Sequence, residues 1–446
     1  MNTIMHSLQK QFKNKKVLVV GLGLQGGGIG LVKFFSKLGA QMRVTDLKSE
    51  KQLYESLNKI KELGVRFTLG KHVVEDFLWA EVIFKGPSVP WDLSYIQEAE
   101  KKSIPIEMEA SFFASYCPCP IIGVTGTRGK STTSSMIYQL MRDAGLSVFL
   151  GGNIPNTSTI TLLKKLIPTD YVVLELSSWQ LSGFHRKKIS PHIAVITNFY
   201  PDHLNYYKTM EEYWYDKTAL FKYQKKGDTF IIPYFLQDKI YPAPLSTMIL
   251  TKAEDFKSKL DYLQGKHTYE NAIQALAVSR VLQIDQSKAY KSISDMKPLV
   301  YRLSKIATIL GIDIYNDSTS TTPIACQKAI ESLHNKKITL ILGGNSKNLP
   351  HEKLIDVINT YVEMVIFLKG SFTDEIEPFI SKNKRLNIIP FDDINKAFYK
   401  AIEVTKKNGV ILFSPASTSF AMFENEFHRG RIFTQIVKDY EEKKAE

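Results

Sequence analysis

The chain has 446 residues, room for roughly three domains of about 150 residues that each enclose a core. Hydrophobic residues make up 44% and charged residues 23%, the proportions of a soluble globular protein, and no run of about 18 apolar residues marks a membrane span. The net charge of +13 would suit a nucleic-acid partner, but the lysines stand in singles and pairs without a long basic block or a stacking signature, so neither nucleic acid nor membrane is expected; a polyanionic small substrate, or solubility alone, accounts for the charge.

Met1 to Lys16 is polar and lacks a secretory apolar core, so a cytoplasmic protein is expected. A predicted strand at Lys16 to Val20 runs into Gly21-Leu-Gly-Leu-Gln-Gly-Gly-Gly-Ile-Gly30, followed by a helix to about Leu38 and a strand from Gln41 to Thr45 that ends at Asp46. This βαβ unit with an acidic strand end resembles a dinucleotide-binding turn, and it fits NAD or any nucleotide diphosphate whose pyrophosphate sits at the helix end. Val82-Ile83 leads into a further loop near the same edge, Lys85-Gly-Pro-Ser-Val-Pro90. Cys117 and Cys119, with Cys326 far away, fit neither a disulfide framework nor a zinc site, and residues 117–120 read as a linker.

The most informative stretch is Gly123-Val-Thr-Gly-Thr-Arg-Gly-Lys-Ser-Thr132. A short β-rich run, Ile121 to Thr125, precedes it, and a helical pattern (Met136, Ile137, Leu140, Met141) follows and stops at Gly145. Glycines let backbone N–H groups close around an anion and the helix terminus adds its dipole; Lys130 reaches terminal phosphates and Ser131 is a Mg²⁺ ligand type. Nucleoside triphosphate chemistry is expected. The spacing departs from the general phosphate-loop pattern, because Val124 stands where a glycine is usual and the glycines fall at Gly123, Gly126 and Gly129.

Past this loop, a predicted strand from Tyr171 to Leu176 carries Glu175 near its carboxyl end, before Ser177-Ser178-Trp179-Gln180, and another, Ile193 to Thr197, leads into Asn198 and Asp202-His203. Ligands of open α/β sheets collect at the carboxyl ends of strands, so Lys130, Glu175 and His203 are expected to converge, with the carboxylate and imidazole as Mg²⁺ partners; a buried Glu–His pair is the structural alternative. Lys217, on the helix predicted after Glu211, reads by itself as solvent-facing. From about Pro298 an alternating pattern restarts, with strands at Ile338 to Leu342, Met364 to Leu368 and Val410 to Phe413 leading into Gly343-Gly-Asn-Ser-Lys347 and Ser414-Pro-Ala-Ser-Thr-Ser419. A second doubly wound sheet is expected there, and the Lys/Glu-rich tail after Val437 reads as a solvated helix end.

Taken together, these motifs resemble the Mur ligase family over nearly the whole chain: Gly123 to Thr132, Glu175 to Leu181, Thr197-Asn198 with Asp202-His203, Tyr213 with Lys217, His267 with Asn271, Arg302, Asn316-Asp317-Ser318, Gly343-Gly344 with Lys347, and Ser414 to Ala416. The resemblance implies three α/β domains: a Rossmann-like UDP-binding domain over 1–117, a central P-loop ATPase-like parallel-sheet domain over 118–297, and a Rossmann-like amino-acid domain over 298–446. It implies an ATP-dependent, amide-forming ligase, most similar to members that add D-glutamate to UDP-N-acetylmuramoyl-L-alanine through an acyl phosphate during peptidoglycan precursor assembly, working as a monomer. By the same resemblance Lys130, Glu175, His203 and Lys217 are catalytic, and ATP is bound by Gly126, Thr127, Arg128, Gly129, Lys130, Ser131, Thr132, Asn271, Arg302 and Asp317. Ser131 and Glu175 would hold one Mg²⁺, and His203 with a carbamylated Lys217 a second. Leu24, Gln25, Asp46 and Lys48 would bind the uridine diphosphate; Asn153, Ser177 and Gln180 the muramoyl-alanine end; Thr321, Lys347 and Ser419 the glutamate.

Four positions depart from the family pattern. Thr268 replaces an asparagine after His267, Thr319 a lysine after Asp317-Ser318, Glu426 a phenylalanine near the glutamate site and Arg128 a common asparagine. They bear on amino-acid choice more than on activation, which keeps an L-glutamate-adding ligase open, followed by other Mur ligases and folylpolyglutamate synthase. A NAD-dependent oxidoreductase would leave the Gly123 loop unexplained. A non-catalytic Mur-like subunit would be expected to lack Lys130, Glu175, His203 and Lys217.

Overall fold

The structure, a computed structural model, describes residues 3–24, 26–154, 157–203, 206–260, 265–384, 390–419, 423 and 425–445. It divides into two compact units, one of Met1–Phe199, Tyr213–Lys252 and Ala272–Ser292, the other of Tyr200–Glu212, Ala253–Asn271 and Ile293–Glu446. Among the described residues no helix is long and apolar enough to cross a membrane.

The first unit holds two parallel sheets. In the first, β1 (Lys16–Val20), β2 (Gln41–Asp46), β3 (Arg66–Leu69), β4 (Val82–Lys85) and β5 (Ile106–Glu107) lie in the order β3-β2-β1-β4-β5. β1 is apolar at successive positions because both its faces are covered. Leu18 and Val20 pack with Ile83, Phe77, Ile96 and Ala99 on one face, while Phe84 of the adjacent strand meets Phe35 and Phe112 on the other. The order reverses between β1 and β4, and the loops after both strands leave from that crevice.

In the second sheet, β6 (Ile121–Thr125), β7 (Val148–Gly152), β8 (Tyr171–Glu175), β9 (Ile193–Ile196), β10 (Thr229–Pro233) and β11 (Thr247–Thr251) are ordered β11-β10-β9-β6-β8-β7, again all parallel. Every residue of β6 is buried. The pairing of Val124 with Glu175 and of Thr125 with Ile196 brings the ends of β6, β8 and β9 level at one edge.

The second unit contains β12 (Ser304–Ile309), β13 (Ile312–Asn316), β14 (Ile338–Gly343), β15 (Val362–Leu368) and β16 (Val410–Phe413), in the order β12-β13-β16-β14-β15. The three strands expected from sequence are there, β14 longer by one residue, β15 by two and β16 as expected. The β12–β13 hairpin was not expected: β12 runs antiparallel to β13, and its turn is Leu310-Gly311, both at positive φ (55° and 76°). Alternation separates the two faces of this sheet. Leu340 and Leu342 pack against helices Pro323–Ser332 and Glu352–Tyr361, and Ile341 faces helices Ile394–Val404 and Glu426–Ala445.

Candidate active site

The phosphate turn is built by close approach and by its neighbours just after β9. Gly126 sits at φ 151°, where a Cβ would come within 1.9 Å of Thr197 Oγ1, so no larger residue fits. The Thr127 and Arg128 amides donate to the backbone and side-chain oxygens of Asn198 at 3.1 and 2.9 Å. The Arg128 carbonyl accepts from Thr197 Oγ1 and Asn198 Nδ2. Gly129, at φ 79°, turns the chain into helix Lys130–Asp143, so the N-terminal N–H groups of that helix end the turn. Lys130 arches back over it, its Nζ 3.0 Å from both the Gly126 and Thr127 carbonyls. Ser131 and Thr132 follow in the first helical turn.

Lys217 is not solvent-facing, as it reads when taken alone: it is 1% exposed. It lies near the end of helix Met210–Thr218, and its Nζ donates to Gly126 O at 3.0 Å. The Tyr213 ring lies 4.6 Å from that ammonium, and the Tyr213 hydroxyl reaches Thr127 Oγ1 at 3.3 Å. Two lysines from separate helices therefore converge on the carbonyls of one turn. At the end of β8, Glu175 is buried and Asn153 grips it twice, by Nδ2 to Oε1 at 3.2 Å and by its amide to the Glu175 carbonyl at 2.7 Å.

Two other residues assigned to the muramoyl-alanine end are engaged in structure. Ser177 and Gln180 form a reciprocal capping box that starts helix Ser178–Lys187. In the first sheet, Asp46 closes the glycine turn by accepting from the Gly23 amide at 3.2 Å and from the Lys48 amide at 2.8 Å. Leu24 is exposed on that turn, and Gln25 lies outside the described residues.

The second unit carries the remaining candidates. His203, at φ 58°, follows the buried Asp202, whose Oδ1 accepts the His203 amide at 2.9 Å and whose Oδ2 lies 3.6 Å from His203 Nε2. Asp202 also faces Lys347 Nζ at 3.5 Å, and Lys347 Nζ reaches Thr321 Oγ1 at 3.4 Å. Ser419 is buried in the loop after β16. Asp317, at the end of β13, accepts from Ser320, Ser414 and the Leu303 amide. Burial still pushes its carboxyl up to about 6, against these donors and the nearby Arg302. Asn271 is buried on helix Lys266–Val281.

Three of the departing positions have local partners. Thr268 Oγ1 donates to Gly265 O at 2.6 Å, Thr319 Oγ1 to Tyr301 O at 2.8 Å, and the Glu426 carbonyl accepts from Ser318 Oγ at 2.7 Å. Sequence reasoning missed Arg429. It is fully buried on helix Glu426–Ala445, donates to Ser318 and to the Ser417 carbonyl, and so joins the loops after β13 and β16. Burial lowers its guanidinium to about 10. Nothing in the residue pattern of that helix sets Arg429 apart from the other basic residues.

Ser131 and Glu175 are oxygen donors of the kind Mg²⁺ prefers. An unmodified Lys217 is not, since its ammonium is a hydrogen-bond donor. Among the described residues no three His, Cys, Asp or Glu side chains cluster as a ready-made metal site.

Three family models match the chain in order: the MurD-like N-terminal domain of Mur ligases over residues 15–107, the Mur ligase middle domain over 124–243 and the glutamate ligase domain over 301–417. Proteins named UDP-N-acetylmuramoylalanine–D-glutamate ligase are similar along their full length. The one from Borreliella burgdorferi (strain ZS7) is 33% identical, covering 97% of this chain and 99% of the relative; that of Roseiflexus sp. (strain RS-1) is 31% identical over 96% and 100%. Among solved structures, the MurF ligase of Thermotoga maritima in complex with ADP superposes with a TM-score of 0.60 at 18% identity, covering 99% of this chain and all of that one. The fold is thus common to ligases that have diverged far in sequence. Matched from end to end at these levels, the chain belongs to the Mur ligase family.

Proposed function

We propose that the protein is an ATP-dependent, amide-forming ligase that adds D-glutamate to UDP-N-acetylmuramoyl-L-alanine in peptidoglycan precursor assembly. The reading is carried by the phosphate turn with Lys130 and Lys217 both drawn onto its carbonyls, in a chain one-third identical over its length to ligases named for that reaction. Joining an amine to a carboxylate in water is uphill. The carboxylate of the alanine end is first phosphorylated by ATP, its oxygen bonding the γ-phosphorus as ADP leaves; the glutamate amino group then attacks the acyl carbon and expels phosphate.

Gly126 to Thr132 cradle the triphosphate with backbone amides, and Lys130 swings from the turn carbonyls to the γ-phosphoryl oxygens as negative charge shifts toward ADP. Asn271, Arg302 and Asp317 bind the rest of ATP. Ser131 and Glu175 would hold one Mg²⁺, and His203 with a carbamylated Lys217 a second; Mg²⁺ supplies neutralisation of the phosphate oxygens. Carbamylation converts the Lys217 amine into an oxygen-bearing anion. Leu24, Gln25, Asp46 and Lys48 take the uridine diphosphate, Asn153, Ser177 and Gln180 the muramoyl-alanine end, and Thr321, Lys347 and Ser419 the glutamate. The corresponding domains are 1–117, 118–297 and 298–446, and the enzyme works as a cytoplasmic monomer, where ATP is at hand.

Phosphate release from ATP with Mg²⁺ and UDP-N-acetylmuramoyl-L-alanine tests this, comparing D-glutamate with L-glutamate. Release that depends on D-glutamate and falls at least about tenfold with the L-isomer is expected. Equal or greater release with L-glutamate would reassign the stereochemistry, and no release with either would end the proposal.

A further inference from the structure

Within the first unit, one side chain outside the assigned site links its two sheets. Trp91 follows the turn after β4, and its indole Nε1 donates to Ser182 Oγ, on helix Ser178–Lys187, at 2.9 Å. Two cations lie over the same ring: Lys85 Nζ at 4.2 Å from the centroid and the Arg186 guanidinium at 4.0 Å. Lys85 is buried at the end of β4 and donates to Val89 O at 2.7 Å, which pins the turn from inside. The turn is fixed to the glycine turn as well, since the Gly86 amide donates to Val20 O at 2.7 Å and Val89 Cγ2 lies 3.4 Å from where a Cβ on Gly21 would sit. Arg186 pairs in turn with Glu100, and Lys187 with Glu107, so the same helix is tied twice more to the first sheet's side.

This arrangement is costly for stability. Burial, and then the neighbouring Arg186, lower the Lys85 ammonium to about 7, so its charge is only partly kept at neutral pH; an apolar side chain would fill the same space without that cost. What the cluster provides is geometry, because an indole held by one hydrogen bond and packed against two basic side chains has little freedom to slide. Trp91 thus ties the turn beside Gly21 to the helix that Ser177 and Gln180 cap.

We infer that Trp91 is a positioning residue for the UDP-linked substrate: it fixes the spacing between the groups that take its nucleotide end and those that take its muramoyl-alanine end. This rests on the function proposed above. A ligand spanning both ends gains from the fixed spacing, whereas one that reaches only the nucleotide end does not.

The test uses the full-length enzyme with Trp91→Ala, Trp91→Phe and Ser182→Ala. Trp91→Ala is expected to raise KM for UDP-N-acetylmuramoyl-L-alanine about tenfold, equivalent to about 1.4 kcal/mol, while Kd for UDP alone and KM for ATP stay within about twofold. Trp91→Phe keeps a ring beneath the cations and loses the N–H, so about a threefold rise is expected, and Ser182→Ala should add nothing further on that background. An unchanged KM for the substrate overturns the inference. So does a parallel weakening of UDP and ATP, which would mark a general structural defect, and Trp91→Phe decides the matter if the alanine variant does not fold. Wild-type enzyme that fails to turn over this substrate would instead refute the assigned reaction, so the two failures are distinguishable.

Discussion

Replacing Asp317 by Asn should remove a pH-dependent loss of stability whose size follows from burial. The Asp317 carboxyl is fully enclosed and its pKa is raised from 3.8 to about 6, mainly by loss of water. The folded protein therefore holds this proton more tightly than the unfolded chain does. The stabilisation that protonation confers is complete below about pH 4 and is lost as pH rises through about 6. A shift of about 2 units at 1.36 kcal/mol each corresponds to about 3 kcal/mol. Asn cannot ionise, and its carbonyl and amide can still meet the Leu303 amide and the Ser320 and Ser414 hydroxyls. Urea denaturation of both proteins at intervals from pH 4 to 8 gives the difference in unfolding free energy at each pH. The wild type should lose about 3 kcal/mol relative to Asp317→Asn between pH 4 and 7. Parallel curves would show that the three donors offset burial, and the reasoning would fail.

Two further substitutions probe the phosphate turn. Gly126→Ala places a methyl 1.9 Å from Thr197 Oγ1 at φ 151°, and it should cost about 1–3 kcal/mol in stability and most of the turnover; thermal melting and phosphate release check both, and near-normal values would mean that the turn relaxes freely. Lys217→Ala removes an ammonium from Gly126 O and should lower kcat by about a hundredfold, with partial recovery on adding a short carboxylate such as acetate. An active variant indifferent to acetate would argue against a carbamylated lysine.

Much of the architecture is legible because parallel strands covered on both faces read as continuous apolar runs: β1, β6, β8, β9, β14 and β16 announce themselves in this way. The edge strand β3, partly exposed and flanked by charge, does not. Nor does the β12–β13 hairpin, whose Leu310-Gly311 turn lacks the Asn-Gly or Asp-Gly signal and places an exposed leucine at positive φ. The glycines of the phosphate turn stand out as a motif, yet their necessity comes from Thr197, seventy-one residues after Gly126 by position. Lysine is ordinarily exposed, so the burial of Lys217 could not be read from its type. The Asp202–Lys347 pair spans 145 positions and depends entirely on how the second unit folds.

That pair changes how a dicarboxylate would be received. Lys347 already has an anion of its own chain for company and a hydroxyl on Thr321 beside it. A carboxylate arriving there, as proposed for glutamate, would enter by exchange, taking over a counter-ion relationship already in place and leaving Asp202 to its other neighbour, the imidazole of His203. With glutamate received as proposed, its recruitment and the electrostatic setting of that histidine would be linked through a single aspartate.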